Sequence, residues 1–329
     1  MALELFGVAA TTFLPFVAFG LVIGLLFGFF GMGGSFLVTP ALLVMGYPAE
    51  VAVGSGLAFV FGTSVIAALR HRDHGQVDFK LGALFVVGMT AGIEVGKSSV
   101  YALKAVGLAD LVVSVAYVVL LSGVGLFMLY DSRTPASDEG SRLVDRLQAF
   151  DLPPTVEIKG GAEVSVWLTL AIAAVIGVLA GFLGVGGGFL LMPAMMYGLG
   201  VPAAVAVGTD VFQITVSGAV GSFFYAQKGA VDLTVVAPLL AGSALGARVG
   251  AAATKIVDSD DITGYFSAML LAGAAAVASK NLAAAFAIPQ LRTVSKVLIF
   301  GAAVTVAAAI VYRSIVTLRE DPGAISTGT

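Results

Sequence analysis

The 329-residue chain is 59% hydrophobic and 11% charged, with a mean hydropathy of +1.03, against about 45–50% apolar and about 25% charged in soluble domains. That balance excludes a water-soluble fold and indicates an all-α, polytopic membrane protein. A net charge of −3 with no basic stretch argues against a nucleic-acid partner, and the absence of cysteine removes disulfides, thiolate metal sites and thiol redox chemistry.

No basic residue precedes Arg70, so a cleaved signal peptide is not expected. Apolar segments then follow at about 12–30, 35–46, 49–69, 79–97, 109–130, 166–184, 188–199, 203–226, 233–254, 262–279 and 292–313. Most approach the ~20 residues a helix needs to cross the hydrocarbon core. Segments 35–46 and 188–199 do not; at about 1.5 Å per residue they reach only about 18 Å. They read as half-helices or re-entrant elements.

Each short segment follows a glycine-rich phrase. "GFFGMGGSFLVTP" spans Gly28–Pro40 and "GFLGVGGGFLLMP" spans Gly181–Pro193. Gly31, Gly33 and Gly34, like Gly184, Gly186, Gly187 and Gly188, allow positive φ and close approach. Pro40 and Pro193 suit the first turn of a new helix, with Thr39 as a cap before Pro40. Each phrase therefore predicts a helix, a break and a short helix.

The likeness extends further. "YPAEVAVGSG" (Tyr47–Gly56) matches "VPAAVAVGTD" (Val201–Asp210), "GQVDF" (Gly75–Phe79) matches "GAVDL" (Gly229–Leu233), and Gly88, Gly92 and Gly96 match Gly242, Gly246 and Gly250. Four-residue glycine spacing permits close helix packing in a bilayer. An internal duplication over about 20–97 and 173–251 accounts for these matches. The organisation expected is repeat 1 over 1–130, a polar cytoplasmic connector over 131–165, repeat 2 over 166–280, and a further helix and tail over 281–329. If every segment crosses, each repeat has five and the two are inverted; an even count makes them parallel. Arg70, Arg72 and Lys80 in loop 70–80, against Lys228 alone in 226–234, put the first loop in the cytoplasm. The connector reads as a solvated linker with a short amphipathic helix, and Thr155–Val166 alternates around Gly160-Gly161 as a hairpin does.

Non-helical backbone at membrane depth is tolerated where it lines a polar cavity, and paired broken helices mark transporter sites. Short helices starting at the breaks would aim unpaired N–H groups at an anion; tight helix crossing is the other use for such glycines. Asp210 lies eight residues into a helix starting near Pro202, about 12 Å along it. It is a candidate proton-coupling carboxyl or a hydrogen-bonded structural one, and its counterpart in the first repeat is Gly56. Arg248 occupies the position of Glu94. Either the two pair, or Arg248 contacts an anion and Lys97 answers Glu94. Thr209, Gln213, Thr215, Ser217, Ser55, Thr63 and Ser64 offer neutral polar groups. His71 and His74 sit with Asp73 in a solvated loop, with no third metal ligand nearby.

The doubled Gly-x-Gly-Gly phrase ending in proline, the "VAVGTD" helix entry and the G-x-V-D loop resemble the sulfite exporter TauE/SafE family of transmembrane anion transporters, over about 15–315. The resemblance implies a two-repeat, all-helical carrier of sulfite, sulfonates such as sulfoacetate, or related sulfur anions across the plasma membrane; no cofactor or metal is expected. Export is the family's usual direction. It places the site at Gly31, Gly33, Gly34 and Pro40 in one half and Gly184, Gly186, Gly187, Gly188 and Pro193 in the other. Ser35 replaces the third glycine of the first phrase. A related class of thiosulfate importers uses intramembrane cysteines, which this chain lacks. The expected substrate site comprises these residues with Ser35, Thr39, Thr209, Gln213 and Arg248, and Asp210 as the coupling candidate. A small anion, the bilayer and coupling protons are the expected partners, and a homo-oligomer is compatible with the sequence. A passive anion channel, a membrane-embedded enzyme or a non-transporting membrane partner are the alternatives.

Overall fold

The computed structural model describes residues 4–5, 8–30, 35–71, 77–131, 153–159, 163–254 and 259–320. A short strand pair, β1 (Glu4–Leu5) and β2 (Val8–Ala9), leads into α1 (Ala10–Phe30), α2 (Ser35–Met45), α3 (Ala49–His71), α4 (Phe79–Ala105) and α5 (Ala109–Asp131). A hairpin of β3 (Thr155–Glu157) and β4 (Glu163–Ser165) follows, with Val156 opposite Val164. Then come α6 (Val166–Leu183), α7 (Gly188–Pro193) running into a π-helical turn (Ala194–Gly198), α8 (Ala203–Ala226), α9 (Leu233–Ala253), α10 (Ser259–Ala285) and α11 (Pro289–Glu320). Eight of these helices, α1, α3, α4, α5, α6, α9, α10 and α11, are long and apolar enough to cross a membrane. The chain is an all-α, multi-pass membrane protein with two short antiparallel hairpins.

Helix starts follow from local chemistry. Asp78 caps α4, its carboxylate accepting from the backbone N–H of Lys80 and Leu81 at 3.0 Å each. Asp232 caps α9 by accepting from the Thr234 N–H at 2.9 Å. The aspartate of each G-x-V-D motif is thus an N-cap, which satisfies otherwise orphaned donors. The helix α4 runs eight residues past the apolar segment that ends at position 97. Lys104 extends it because its ammonium reaches Glu50 on α3 at 2.8 Å, so charge there does not mark a helix end.

The chain folds into two compact units that are not contiguous in sequence. One holds Met1–Ala49, Asp110–Pro135 and Asp232–Thr329. In it α1 packs on α9 along Gly20, Gly24 and Gly28 on one side and Gly242, Gly246 and Gly250 on the other, each glycine Cα lying against backbone of the facing helix. The hydroxyl of Thr254 closes this seam by donating to the Phe29 carbonyl at 2.8 Å. Around the pair, Phe266 of α10 stacks against Phe30 and Phe36, with centroids 4.9 and 5.1 Å apart.

The other unit holds Glu50–Ala109 and Ala136–Val231. Here α4 packs on α6 through Gly88, Gly92 and Gly96 against Gly177 and Gly181. Successive glycines of α4 meet successively later residues of α6, so the two helices run parallel; the same progression holds between α9 and α1. Its core includes Leu81, Phe85, Met89, Ile93, Ile176, Leu191, Met195 and Ala206, and the hairpin adds Ile158 and Val164. The hairpin at 155–165 is the one expected; Gly160 and Gly161 lie outside the described residues, as do 132–152 of the connector.

Candidate functional site

The second glycine phrase breaks the helix as its composition requires. The last turn of α6 is closed by Gly184, left-handed at φ 76°, whose N–H donates to the Ala180 carbonyl at 2.7 Å. Gly186 and Gly187 follow at φ 68° and 84°. Any other residue pays roughly 1–2 kcal/mol at each such position. Space is also tight: a Cβ on Gly186 would stand 2.5 Å from Val60, and one on Gly187 2.5 Å from the Met89 methyl. At Gly188 it would stand 3.0 Å from Asp210 Oδ2. The Asp210 carboxylate therefore lies directly against the start of α7.

The prolines do not start the short helices. Pro40 is inside α2, and Pro193 ends α7. The glycines alone turn the chain, so α7 begins at Gly188, its first bonds running from the Leu190 and Leu191 N–H to the Gly187 carbonyl at 3.0 and 2.8 Å. The chain beyond Pro193 widens into the π turn, with the Leu199 N–H on the Ala194 carbonyl at 3.2 Å. Thr39 is fully buried and hydrogen-bonded to the Tyr117 hydroxyl, not capping a helix at Pro40. Gly31, Gly33, Gly34 and the Ser35 side chain lie outside the described residues, as do the side chains of His71 and Pro193 and all of His74.

Thr209, Asp210, Gln213 and Ser217 line α8, all 7% exposed or less. Asp210, Gln213 and Ser217 sit three and four residues apart and so share a face. Thr209 is committed to structure: its hydroxyl accepts from the Asp78 N–H at 3.0 Å. The amide of Gln213 donates to the Ser217 hydroxyl at 2.7 Å and to the Met89 sulfur. Among the described residues, buried side-chain polar atoms without a partner number three: Asp210 Oδ1, Gln213 Oε1 and Tyr101 Oη. Two of the three are acceptors one helical turn apart beside the break. Thr63, Ser64 and Thr215, by contrast, spend their hydroxyls on carbonyls of their own helices, and Ser55 is buried with a partner.

Glu94 is paired with Lys97 at 2.7 Å on α4, so of the two arrangements open to it the local one forms. Arg248 is exposed on α9. Tyr101 and Lys104 of α4 are the residues that sequence reasoning passed over; they extend a face that already held Glu94 and Lys97. Glu94, Lys97, Tyr101 and Lys104 recur at three- and four-residue spacing down one face, a period visible once the helix is carried past 97. Lys97 is only 8% exposed and lies 4.9 Å over the Phe224 ring of α8. No cluster of three or more His, Asp or Glu suited to a metal occurs among the described residues.

Asp78 joins three elements of this architecture, α4, the hairpin and α8. Besides capping α4, its Oδ2 accepts the Lys159 N–H of the hairpin at 2.7 Å, while its own N–H holds Thr209 beside Asp210. Asp78→Ala is expected to cost about 2–4 kcal/mol, since three N–H donors lose a charged acceptor. Melting of the detergent-solubilised protein measures this, and Asp78→Asn, which keeps one acceptor oxygen, should fall between the two.

Comparison with known proteins agrees with this picture. The chain is 26% identical over 259 residues to the probable membrane transporter protein YunE of Bacillus subtilis (strain 168), covering 76% of this chain and 92% of that protein. It is 27% identical to a probable membrane transporter protein of Xylella fastidiosa (strain 9a5c), covering 70% and 80%, and 26% identical to the probable membrane transporter protein MJ0441 of Methanocaldococcus jannaschii, covering 70% and 83%. No solved structure matches. Residues 16–277 match the family model described as sulfite exporter TauE/SafE, and the chain belongs to that family of membrane transporters.

Proposed function

We propose that the protein is a secondary carrier of a small sulfur-containing oxyanion, sulfite or an organosulfonate, exporting it across the plasma membrane coupled to protons. The observation that carries this reading is the placement of Asp210 against the start of α7, where the chain leaves the helix at three left-handed glycines. The backbone N–H groups of the break hold the anion, the Gln213 and Ser217 side chains shape its surroundings, and Asp210 exchanges the proton. A deprotonated Asp210 presents negative charge beside an anion at α7; a protonated one offers a donor. Proton and anion therefore favour each other at this place.

The two-repeat architecture belongs to the same proposal. In each unit the fourth helix of one copy packs parallel on the first helix of the other, glycine row to backbone: α4 on α6, and α9 on α1. Two copies of one repeat that exchange helices would pack this way. Counting five segments per copy makes them inverted, the arrangement that lets a carrier alternate its access.

Flux in proteoliposomes tests the reading, with sulfite, sulfoacetate, sulfate, chloride and taurine as a zwitterionic control, under an imposed pH gradient. Saturable flux of one sulfur oxyanion is the expected result. Asp210→Asn should keep anion exchange and lose acceleration by the pH gradient, by about tenfold or more. Flux that does not saturate would make the protein a channel. Absence of flux from correctly inserted protein would remove the sulfur-oxyanion reading.

A further inference from the structure

The donors and acceptors in the second unit are segregated. The helices α4 and α8 run parallel, with Gly82 against Phe212, Met89 on Gln213, Lys97 over Phe224 and Tyr101 beside Tyr225. Near the break the unpartnered groups are oxygens, Asp210 Oδ1 and Gln213 Oε1. At the other end of the seam the groups are donors. Tyr101 Oη is buried without a partner, Lys97 sits one turn before it, and Lys104 lies 5.8 Å over the Tyr101 ring. Phe224 and Tyr225 form aromatic walls, Tyr225 being held by its hydroxyl on the Gly181 carbonyl at 2.7 Å. Between the two ends, Leu57 and Ile93, both fully buried, close against Gly221, where a Cβ would stand 3.2 Å from Leu57.

We propose that Lys97 and Tyr101 form a second anion-binding station, separate from the glycine break and divided from it by the apolar contact of Leu57, Ile93 and Gly221. The pairing of Lys97 makes the station exchangeable. The Lys97 side chain is 11% exposed, while that of its partner Glu94 is 47% exposed. An anion arriving at Tyr101 Oη competes with the Glu94 carboxylate for the ammonium. A buried ammonium within a spanning helix is expensive unless it serves a ligand or a partner. Lys97 lies eight residues before the end of α4, about 12 Å in. A lipid headgroup does not reach a side chain that deep and that covered, so a small free anion is the ligand. The inference rests on the carrier reading only in placing this station on the substrate's path.

Equilibrium binding of radiolabelled sulfite to the full chain in detergent separates the two ideas, because it needs no flux. Two sulfite ions per protein are expected in the wild type. Lys97→Met and Tyr101→Phe should each lose one of them, by a fall of about tenfold to hundredfold in its affinity. Lys97→Arg should retain it, which also shows that the site tolerates a folded variant without lysine. Gly188→Val should spare the Lys97 station and remove the other. Unchanged binding in both Lys97→Met and Tyr101→Phe would overturn the station while leaving the carrier intact, and a wild type that binds no sulfite would overturn it too. Binding that depends on Lys97 in a protein without flux would uphold the station and sink the carrier.

Discussion

Gly92→Ala is expected to unfold the second unit at a markedly lower temperature than the wild type, by about 1–3 kcal/mol or more of lost stability. The Cβ it adds would press on the Ala174 carbonyl and stand 2.7 Å from the Val178 nitrogen and 2.8 Å from the Gly177 carbonyl carbon. All three neighbours are backbone, so no side chain can rotate away. The helix α6 must retreat as a body, and the contacts at Gly88 and Gly96 are lost with it. In a bilayer nothing compensates, since lipid tails are as apolar as the helix surface and association depends on packing. Gly246→Ala should behave alike in the other unit, where the Cβ meets the Leu21 carbonyl and stands 2.7 Å from the Leu25 nitrogen. Gly123→Ala is the control: nothing lies within 4 Å of its Cβ position, and helix propensity alone should make it neutral or slightly stabilising. Thermal melting followed by size-exclusion in detergent compares the three. If Gly92→Ala melts with Gly123→Ala, the seam does not hold the unit together.

Local pattern carried much of this structure. The span read at 203–226 is α8 to the residue, and Asp210 stands at the eighth position of that helix as expected. Such features depend on hydropathy and helix pitch, which act within a few turns. The Pro40 and Pro193 assignments failed because two local rules competed. Proline favours a first turn, but before Pro193 glycines at positive φ had already made the turn and α7 starts five residues earlier; α2 likewise starts at Ser35, five residues before Pro40. The glycine rows were legible as packing surfaces, yet their partners were not: that Gly92 meets Gly177 is set by contacts between residues far apart in sequence. Tyr101 and Lys104 were hidden for another reason. Hydropathy ends a segment at charge, whereas Lys104 and Glu50 neutralise one another across two helices and let α4 continue. The polar face that includes Lys97 and Tyr101 appears only on the longer helix.

Gly187→Leu should abolish flux, by about a hundredfold, in protein that still folds. Two effects act there. The residue holds φ at 84°, where a side chain costs roughly 1–2 kcal/mol, and a Cβ would stand 2.5 Å from the methyl of Met89 and 3.2 Å from Ile176. The end of a methionine can move, and the core around α4 and α6 does not depend on this one turn, so the fold persists. The move is costly to function because the Met89 sulfur accepts from the Gln213 amide. Displacing it swings Gln213, which lies one turn from Asp210, and misdirects the N–H groups at the start of α7. Truncating the neighbour separates the two effects. Gly187→Ala with Met89→Ala removes the clash and keeps the left-handed strain, so flux should return only in part, well above Gly187→Leu and below Met89→Ala alone. Full recovery in the double variant would mean that crowding, not the backbone turn, is what the glycine protects; no recovery at all would mean that the turn itself is what carries the anion.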